Sequence, residues 1–472
     1  MPWLDDDPEA EAERQKYRDA TKGQTPLEVA DARPPEYSDE ALALRFSAKH
    51  ADDARYVALW GKWLLWDGSR WRLDQTMRSF DLARAICRVA SAEIDEPKKV
   101  KLAAQVASAK TVAAIVTLAR ADRRHAALAE QFDADPWLFS AGSATVELRS
   151  GTVREPRRED YFTKQAAVSP SGDCPRWQQF LTEITGDEAE LKAYLQRVAG
   201  YCLTGVTTEH AMFFCYGTGA NGKSVFINTI GGIWGDYSVT APMETFTVTR
   251  GDSHPTDLAM LRGARLVIAQ ETEAGRRWAE SKIKALTGGD QIAARFMRQD
   301  FFNFTPQFKL LIAGNHKPGL RGVDEAIRRR LHLIPFAVTI PPERRDPKLP
   351  ERLRLEWPGI LQWAIEGCLE WQRIGLAPPA AVRNATAEYL AGEDAITNWI
   401  DDCCERDRRA MVKRSALFEN WKTWAAAAGE FPGRQKEFFA ALESRGFVQH
   451  REPGTGQRMF RGLSLKPADT LL

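Results

Sequence analysis

The strongest constraint on this chain is a strand, loop and helix in immediate succession at residues 212–227. Met212-Phe213-Phe214-Cys215-Tyr216 is an apolar run of strand length. Gly217-Thr218-Gly219-Ala220-Asn221-Gly222-Lys223-Ser224 follows directly, and Ser224-Val225-Phe226-Ile227 opens a helix. The loop has the form G-x-x-x-x-G-K-[ST]. Its glycines let backbone N–H groups curl around phosphate oxygens, and the helix N-terminus adds a positive dipole end. The pattern predicts a phosphate-binding loop for a nucleoside triphosphate along Gly217–Val225. Lys223 would reach the β/γ-phosphates and the Ser224 hydroxyl would ligate Mg²⁺. A glycine-rich turn without a ligand is the bland alternative, and the strand and helix in register argue against it.

Such a loop needs an acid on a neighbouring strand. Arg265-Leu266-Val267-Ile268-Ala269-Gln270-Glu271-Thr272-Glu273 is an apolar strand running into carboxylates. Of Glu271 and Glu273, one would hold the magnesium's water shell and one would polarise the attacking water. A merely solvated acidic strand end is the other reading. A third strand, Lys309-Leu310-Leu311-Ile312-Ala313-Gly314, ends in Asn315. A polar side chain there faces the ligand crevice of an α/β sheet and would meet the γ-phosphate or the lytic water. On its own, Asn315 would read as a strand-end turn residue. Ala326-Ile327-Arg328-Arg329-Arg330-Leu331 places three arginines in a row, ordinarily a solvated helix face or a phosphate patch. One arginine entering a neighbouring subunit's site would stabilise phosphoryl-transfer charge, worth about 10³–10⁵ in rate.

From Ala211 to Phe336 strands alternate with helices, as an α/β core requires. Outside it, residues 1–35 read as a flexible acidic arm. Trp60, Trp63, Trp66 and Trp71 punctuate short alternating runs around Asp67-Gly68, a hairpin signal. These rings would either stack bases or fill a small-sheet core, the commoner use. Residues 78–130 are helix-prone, 145–154 form a second hairpin, and 175–201 are helical. The resulting division is an arm (1–35), an N-terminal α+β domain (36–165), a helical collar (166–205), the nucleotide core (206–376) and a C-terminal region (377–472). That last region, with Arg445-Gly446-Phe447, Arg451, a Gly454-Thr455-Gly456 tip, Arg458 and Arg461, looks like a winged helix. Its wing suits duplex DNA and protein equally well.

With 65 basic and 64 acidic residues, the net charge of +1 excludes a polycationic coat but not local basic surfaces. The seven cysteines show no CxxC spacing, so neither a zinc site nor a disulfide framework is expected. The start has no basic n-region or apolar h-region, and no stretch of 18 apolar residues occurs. A cytoplasmic protein without membrane contact is expected.

Taken together, GTGANGKS at 217–224, ARLVIAQETE at 264–273, LTGGDQIAAR at 286–295, FKLLIAGNHKP at 308–318 and RRRLHLIPF at 328–336 resemble superfamily 3 helicases. The branch is that found at the C-terminus of P4-type phage and plasmid primases and in poxvirus D5-like proteins. The upstream stretch resembles the domain that precedes these helicases, through Trp63…Trp71, Phe132-Asp133-Ala134-Asp135-Pro136, Leu148-Arg149-Ser150-Gly151 and Arg197–Gly205. The resemblance implies a P-loop (AAA+-like) core behind a D5-type α+β domain, using ATP and Mg²⁺. It implies Lys223 as the loop lysine, Ser224 and Glu271 at the metal, and Asn315 as the sensor. Arg329 or Arg330 would be a finger acting in trans. The family often pairs its acids, whereas here Gln270 precedes Glu271, so either Glu271 or Glu273 activates water. By position a hairpin tip at Met297-Arg298-Gln299 would track DNA, with Arg295, Arg298 and Gln299 on the strand and Phe296, Phe301 and Phe302 at its base. The implied function is an ATP-dependent helicase, a homo-oligomeric ring (a hexamer) moving on single-stranded or forked DNA during replication of a phage, plasmid or mobile element. Residues before 55 are too few for a primase domain, so a separate primase or initiator chain is expected. The alternative is an oligomeric regulatory or remodelling ATPase that binds DNA without processive unwinding.

Overall fold

A computed structural model describes residues 34–94, 99–248, 256–270, 276–296, 300–320, 324–392, 394–430, 432–451 and 457–466. They fall into two compact units: the described part of 1–134 with 158–163, and 135–157 with the described part of 164–472.

In the first unit, α1 (Asp39–His50) starts where the Ser38 side chain accepts from the Ala41 N–H. It is followed by an antiparallel sheet of β1 (Ala54–Val57), β2 (Lys62–Trp66) and β3 (Trp71–Leu73). The predicted Asp67-Gly68 turn joins β2 to β3, and Asp67 Oδ1 accepts from the N–H groups of Ser69 and Arg70, both at 2.9 Å. Trp63 and Trp71 are buried, and Trp71 Nε1 donates to the Arg158 carbonyl at 2.9 Å. These two rings are core. Helices α2 (Arg78–Glu93), α3 (Val100–Val106) and α4 (Ala109–Ala119) complete the unit, with Ile86, Cys87, Ile115 and Val116 packed on Leu42 and Phe46. Among the described residues no single helix is long and apolar enough to cross a membrane.

The second unit begins with antiparallel β4 (Leu138–Ala141), β5 (Ala144–Glu147) and β6 (Thr152–Arg154), then α5 (Pro175–Thr185) and α6 (Ala189–Leu203). The alternation that follows is β7 (Met212–Tyr216), α7 (Lys223–Trp234), β8 (Ser238–Thr240), α8 (Thr256–Ala259), β9 (Leu266–Gln270) and α9 (Glu280–Gly288). After it come β10 (Ile292–Ala294), β11 (Phe302–Phe304), β12 (Lys309–Gly314), α10 (Glu325–Arg328) and β13 (Leu331–Pro335). Five of these strands form one parallel sheet in the order β13-β7-β12-β9-β8. Alternate residues of a strand face opposite sides. Phe213 and Cys215 accordingly enter a core with Phe226, Ile227 and Ile230, while Met212 and Phe214 enter another with Val267, Leu310 and Ile312. Both faces are covered, which is why these strands read as continuous apolar runs.

The sheet's amino edge is fixed to α6 by two buried cations. Lys309 Nζ donates to the Thr204 carbonyl and, at 3.2 Å, to the Thr204 hydroxyl and the Val206 carbonyl. Arg265 Nη1 donates to the Leu203 carbonyl at 2.7 Å, and Nη2 reaches the Asp135 and Leu138 carbonyls at 3.0 and 2.6 Å. The last carbonyls of a helix have no intrahelical donors and carry the negative dipole end, so cations satisfy them twice over. Burial nevertheless pushes the Lys309 ammonium down to about 7.

Beyond the sheet lie α11 (Leu349–Leu355), α12 (Trp357–Ile374) and α13 (Ala380–Gly392). Glu356, between the first two, caps α5 by accepting from the N–H groups of Arg176 and Trp177 at 3.0 and 2.9 Å. The chain continues through α14 (Ala395–Cys403), β14 (Cys404–Glu405), β15 (Met411–Lys413), α15 (Arg414–Ala427), α16 (Gln435–Ser444), β16 (Val448–Arg451), β17 (Arg458–Arg461) and β18 (Ser464–Leu465). Strands β15, β17 and β16 form an antiparallel sheet around Trp399, Trp421, Phe438 and Phe460.

Candidate nucleotide site and its neighbouring hairpin

The parallel register brings the ends of four strands to one edge of the sheet. Tyr216 at the end of β7 lies opposite Gly314 of β12 and Pro335 of β13, and Gln270 of β9 lies opposite Ala313. The segment 217–222 leaves β7 at this edge and enters α7, with Gly222 as N-cap. Two of its glycines are required by what surrounds them. A Cβ on Gly217 would sit 2.3 Å from the Phe336 carbonyl oxygen. Gly222 has φ +83°, and a Cβ there would lie 2.4 Å from Ile184 Cγ2. A Cβ on Gly219, by contrast, would meet nothing within 4 Å, so this part of the loop faces open space.

Asn221, almost fully buried, pins the loop. Its Nδ2 donates to the Thr218 carbonyl and to the Phe336 carbonyl at 3.0 Å. Strand β13 and its continuation hold the other side: Phe336 N–H donates to Tyr216 O and Ile340 N–H to Ala220 O, both at 2.8 Å. Ala220 takes the left-handed conformation, φ +60°.

Lys223 is buried at the first turn of α7, and its Nζ gathers three oxygens: Gly217 O at 2.6 Å, Asn221 Oδ1 at 3.1 Å and Asn315 Oδ1 at 3.2 Å. Burial pulls its pKa below the ordinary lysine value. Ser224 and Asn315 are exposed, Val225 is half-buried, and Thr218, Gly219 and Ala220 are exposed along the loop. The structure therefore joins Lys223 and Asn315, 92 residues apart, directly. Glu271 and Glu273 lie outside the described residues, as do Arg298 and Gln299. The strand that leads to the acids ends in exposed Gln270 at the same edge.

The arginines separate sharply. Arg328 and Arg329 are exposed, whereas Arg330 is buried. Arg330 Nη1 donates to Ala326 O at 2.8 Å and its Nε to Thr287 Oγ1 at 3.2 Å.

The antiparallel pair β10–β11 forms the arms of the hairpin, with Ala294 opposite Phe302. Arg295 is exposed and its guanidinium lies 4.8 Å from the centre of the Phe301 ring, itself 61% exposed. Phe296 stacks on Phe302 at 5.6 Å, and Arg262 lies over Phe302 at 5.1 Å. An exposed aromatic paired with a cation beside the hairpin strands has the chemistry to stack on bases next to a phosphate backbone.

Lys317 joins the same edge of the sheet. Its Nζ lies 4.1 Å from the centre of the Tyr216 ring, two residues beyond Asn315 and beside the residue that opens the loop. The basic side chain after a strand-end asparagine was the available signal. The link from Trp278 N–H to Gly319 O at 2.9 Å, which ties the start of α9 to the segment following Asn315, had no sequence signal.

Comparison with known proteins finds similar viral sequences. The profile of the family described as "D5 N terminal like" matches residues 43–186, and that of "Family of unknown function (DUF5906)" matches residues 215–330. The chain is 26% identical over 350 residues to "Putative helicase L207/L206" of Acanthamoeba polyphaga mimivirus, covering 68% of this chain and 36% of that protein. It is 28% identical over 385 residues to "Putative helicase 184R" of Invertebrate iridescent virus 6, covering 72% and 39%. It is 23% identical over 279 residues to "Putative helicase 022R" of Frog virus 3 (isolate Goorha), covering 54% and 28%. The chain thus spans 28–39% of the length of these curated relatives. Among solved structures, the apo C-terminal region of NrS-1 aligns over 90% of this chain and 99% of that one, at TM-score 0.48 and 8% identity. The chain is thus similar to viral proteins named putative helicases, and its residues 43–186 to the D5 N-terminal-like family.

Proposed function

We propose that this chain is an ATP-dependent DNA helicase of superfamily 3, a ring-forming motor on single-stranded DNA, with a P-loop core and a winged-helix-like C-terminal region. The observation that carries the reading is the Lys223 cluster. A buried ammonium at a helix N-terminus is held by Gly217 O, Asn221 Oδ1 and the exposed Asn315 Oδ1, at the edge where four parallel strands end.

The residues present fit a triphosphate with magnesium. The loop is open at Gly219, Ser224 is exposed at the first turn of α7, and Lys223 has oxygen partners that phosphate oxygens can replace. Lys223 would hold the β/γ-phosphates, Ser224 with Glu271 would hold the metal, and Asn315 would orient the lytic water. Glu271 or Glu273 would take that water's proton. Magnesium supplies charge neutralisation at the phosphates when bound.

For action in trans, exposed Arg329 suits the role and Arg330 does not, because Arg330 is buried and its Nε and Nη1 donate within its own chain. Arg295, with Arg298 and Gln299 at the tip, would grip the strand, and Phe301 would stack on bases.

The test is ATP hydrolysis with and without single-stranded DNA, together with mass measurement with and without a non-hydrolysable ATP analogue. DNA-stimulated hydrolysis by an oligomer is the expected result. A monomer with full hydrolytic activity would contradict both the ring and the trans arginine. Stimulated hydrolysis without strand separation would favour a remodelling ATPase.

A further inference from the structure

The buried Arg330 is left without a chemical role in that reading, yet it sits at a junction. Its Nε donates to Thr287 Oγ1 at 3.2 Å, and Thr287 lies in the last turn of α9, whose next residues lead straight into the hairpin. Gly288 is so close that a Cβ on it would lie 3.7 Å from Arg330 Nη2 and 3.3 Å from Asp290 Oδ2; burial and then the Arg329 charge lower the Arg330 pKa, against a smaller opposing pull from Asp324 and Asp290. The backbone carbonyl of Arg330 also accepts from Met212 N–H at 2.7 Å, at the start of the strand that leads into the nucleotide loop.

A second tie runs parallel to the first. Lys284, one turn earlier in α9, pairs with Asp324, and Asp324 Oδ1 caps α10 by accepting from Ile327 N–H at 2.9 Å. Thr287 is fixed in turn: its hydroxyl donates to Ile283 O at 2.7 Å, and its carbonyl meets His210 Nδ1 at 3.0 Å. The short helix α10, which ends at Arg328 and has Arg329 as its C-cap, is thus tied to α9 on both sides.

We infer that Arg330 is a positioning residue that locks the arginine turn (324–330) to α9 and the strand β10 that follows it, so that exposed Arg329 and the base of the hairpin, β10 paired with β11, move as one body. This rests on the helicase reading above and assigns what that reading leaves open: how a change at a neighbouring subunit's phosphates reaches the strand-gripping hairpin. Two connections join α10 to α9, the Arg330–Thr287 hydrogen bond and the part-exposed Lys284–Asp324 ion pair, and α9 runs on into β10; such a contiguous path can carry coupling, which the variants below measure.

The experiment uses the full chain and reads the ratio of DNA-stimulated to basal ATP hydrolysis, which a reduced folded fraction leaves unchanged. Thr287→Val removes the hydroxyl at nearly constant volume. Its basal hydrolysis per folded molecule is expected to stay at the wild-type level, while the stimulation ratio and unwinding rate fall about tenfold, the size of an ordinary coupling between sites. Thr287→Ser restores both. Lys284→Ala, at an exposed ion pair that the core does not need, lowers the ratio by about twofold. If Thr287→Val and Lys284→Ala both keep the wild-type ratio in a chain that DNA stimulates, the inference fails and the helicase reading stands. If the wild-type chain hydrolyses ATP with no response to DNA, both fail.

Discussion

The two edges of the parallel sheet solve the same electrostatic problem with opposite consequences. At the amino edge, Lys309 and Arg265 are buried and donate almost entirely to backbone carbonyls at the end of α6 and in the segments beside it, oxygens with nowhere to go. At the carboxyl edge, Lys223 is also buried, but one of its three oxygens belongs to the exposed Asn315 side chain and another to a loop open at Gly219. A cation locked onto fixed carbonyls stabilises a fold. A cation held by oxygens that can be exchanged is poised for an incoming anion. The difference lies in the exposure of the acceptors rather than in the cation.

Substitutions at the two edges should therefore separate activity from stability. The largest effect expected is on hydrolysis by Lys223→Ala, a loss of about 10³-fold or more in kcat with little change in the denaturation midpoint. A large stability loss there would erase the distinction between the edges. Arg329→Ala should lower kcat by about 10³-fold, and mixing it with Lys223→Ala should recover part of the activity if the site is shared between subunits. At the other edge, Lys309→Met strands buried carbonyls and should cost about 3 kcal/mol in chemical denaturation, with kcat per folded molecule preserved.

A comparable effect comes from pH. His332 in β13 is half-buried, but its Nδ1 meets the hydroxyl of fully buried Tyr194 at 2.8 Å, and loss of solvation there pushes its pKa down from 6.5 to about 4. The unfolded chain then takes up the proton first as pH falls. The stability contributed by neutral His332 is complete above pH 6.5 and drains away toward pH 4, about 3 kcal/mol in all. His332→Gln should flatten that slope. The smallest effect is at the hairpin, where Phe301→Ala should weaken single-stranded DNA binding about tenfold without moving the denaturation midpoint.

Much of the carboxyl edge was legible in the sequence because its demands are local. The glycines, Lys223 and Ser224 are fixed by loop geometry within eight residues, and the apolar runs of β7, β9 and β12 announce strands buried on both faces. Asn315 was legible as a strand end, but its bond to Lys223 required the register of β12 beside β7. The amino edge was not legible. Arg265 and Lys309 look like ordinary charges at the starts of strands, and only the end of α6 and the segments at 135–138 and 204–206 supply the carbonyls they meet. Arg330 was hidden for the same reason: in a run of three arginines nothing local distinguishes the one that packs on Thr287 from the two that face solvent. The tryptophans at 63 and 71 resolved toward the simpler of their two readings, a small-sheet core.

Unwinding of a forked DNA duplex, with wild-type chain and Lys223→Ala side by side at saturating ATP, tests the proposed motor most directly. The expected result is strand separation by the wild type that requires ATP and is absent in Lys223→Ala. Equal unwinding by the two, or ATP hydrolysis by the wild type with the fork left intact, would contradict a DNA motor driven from the loop at 217–224.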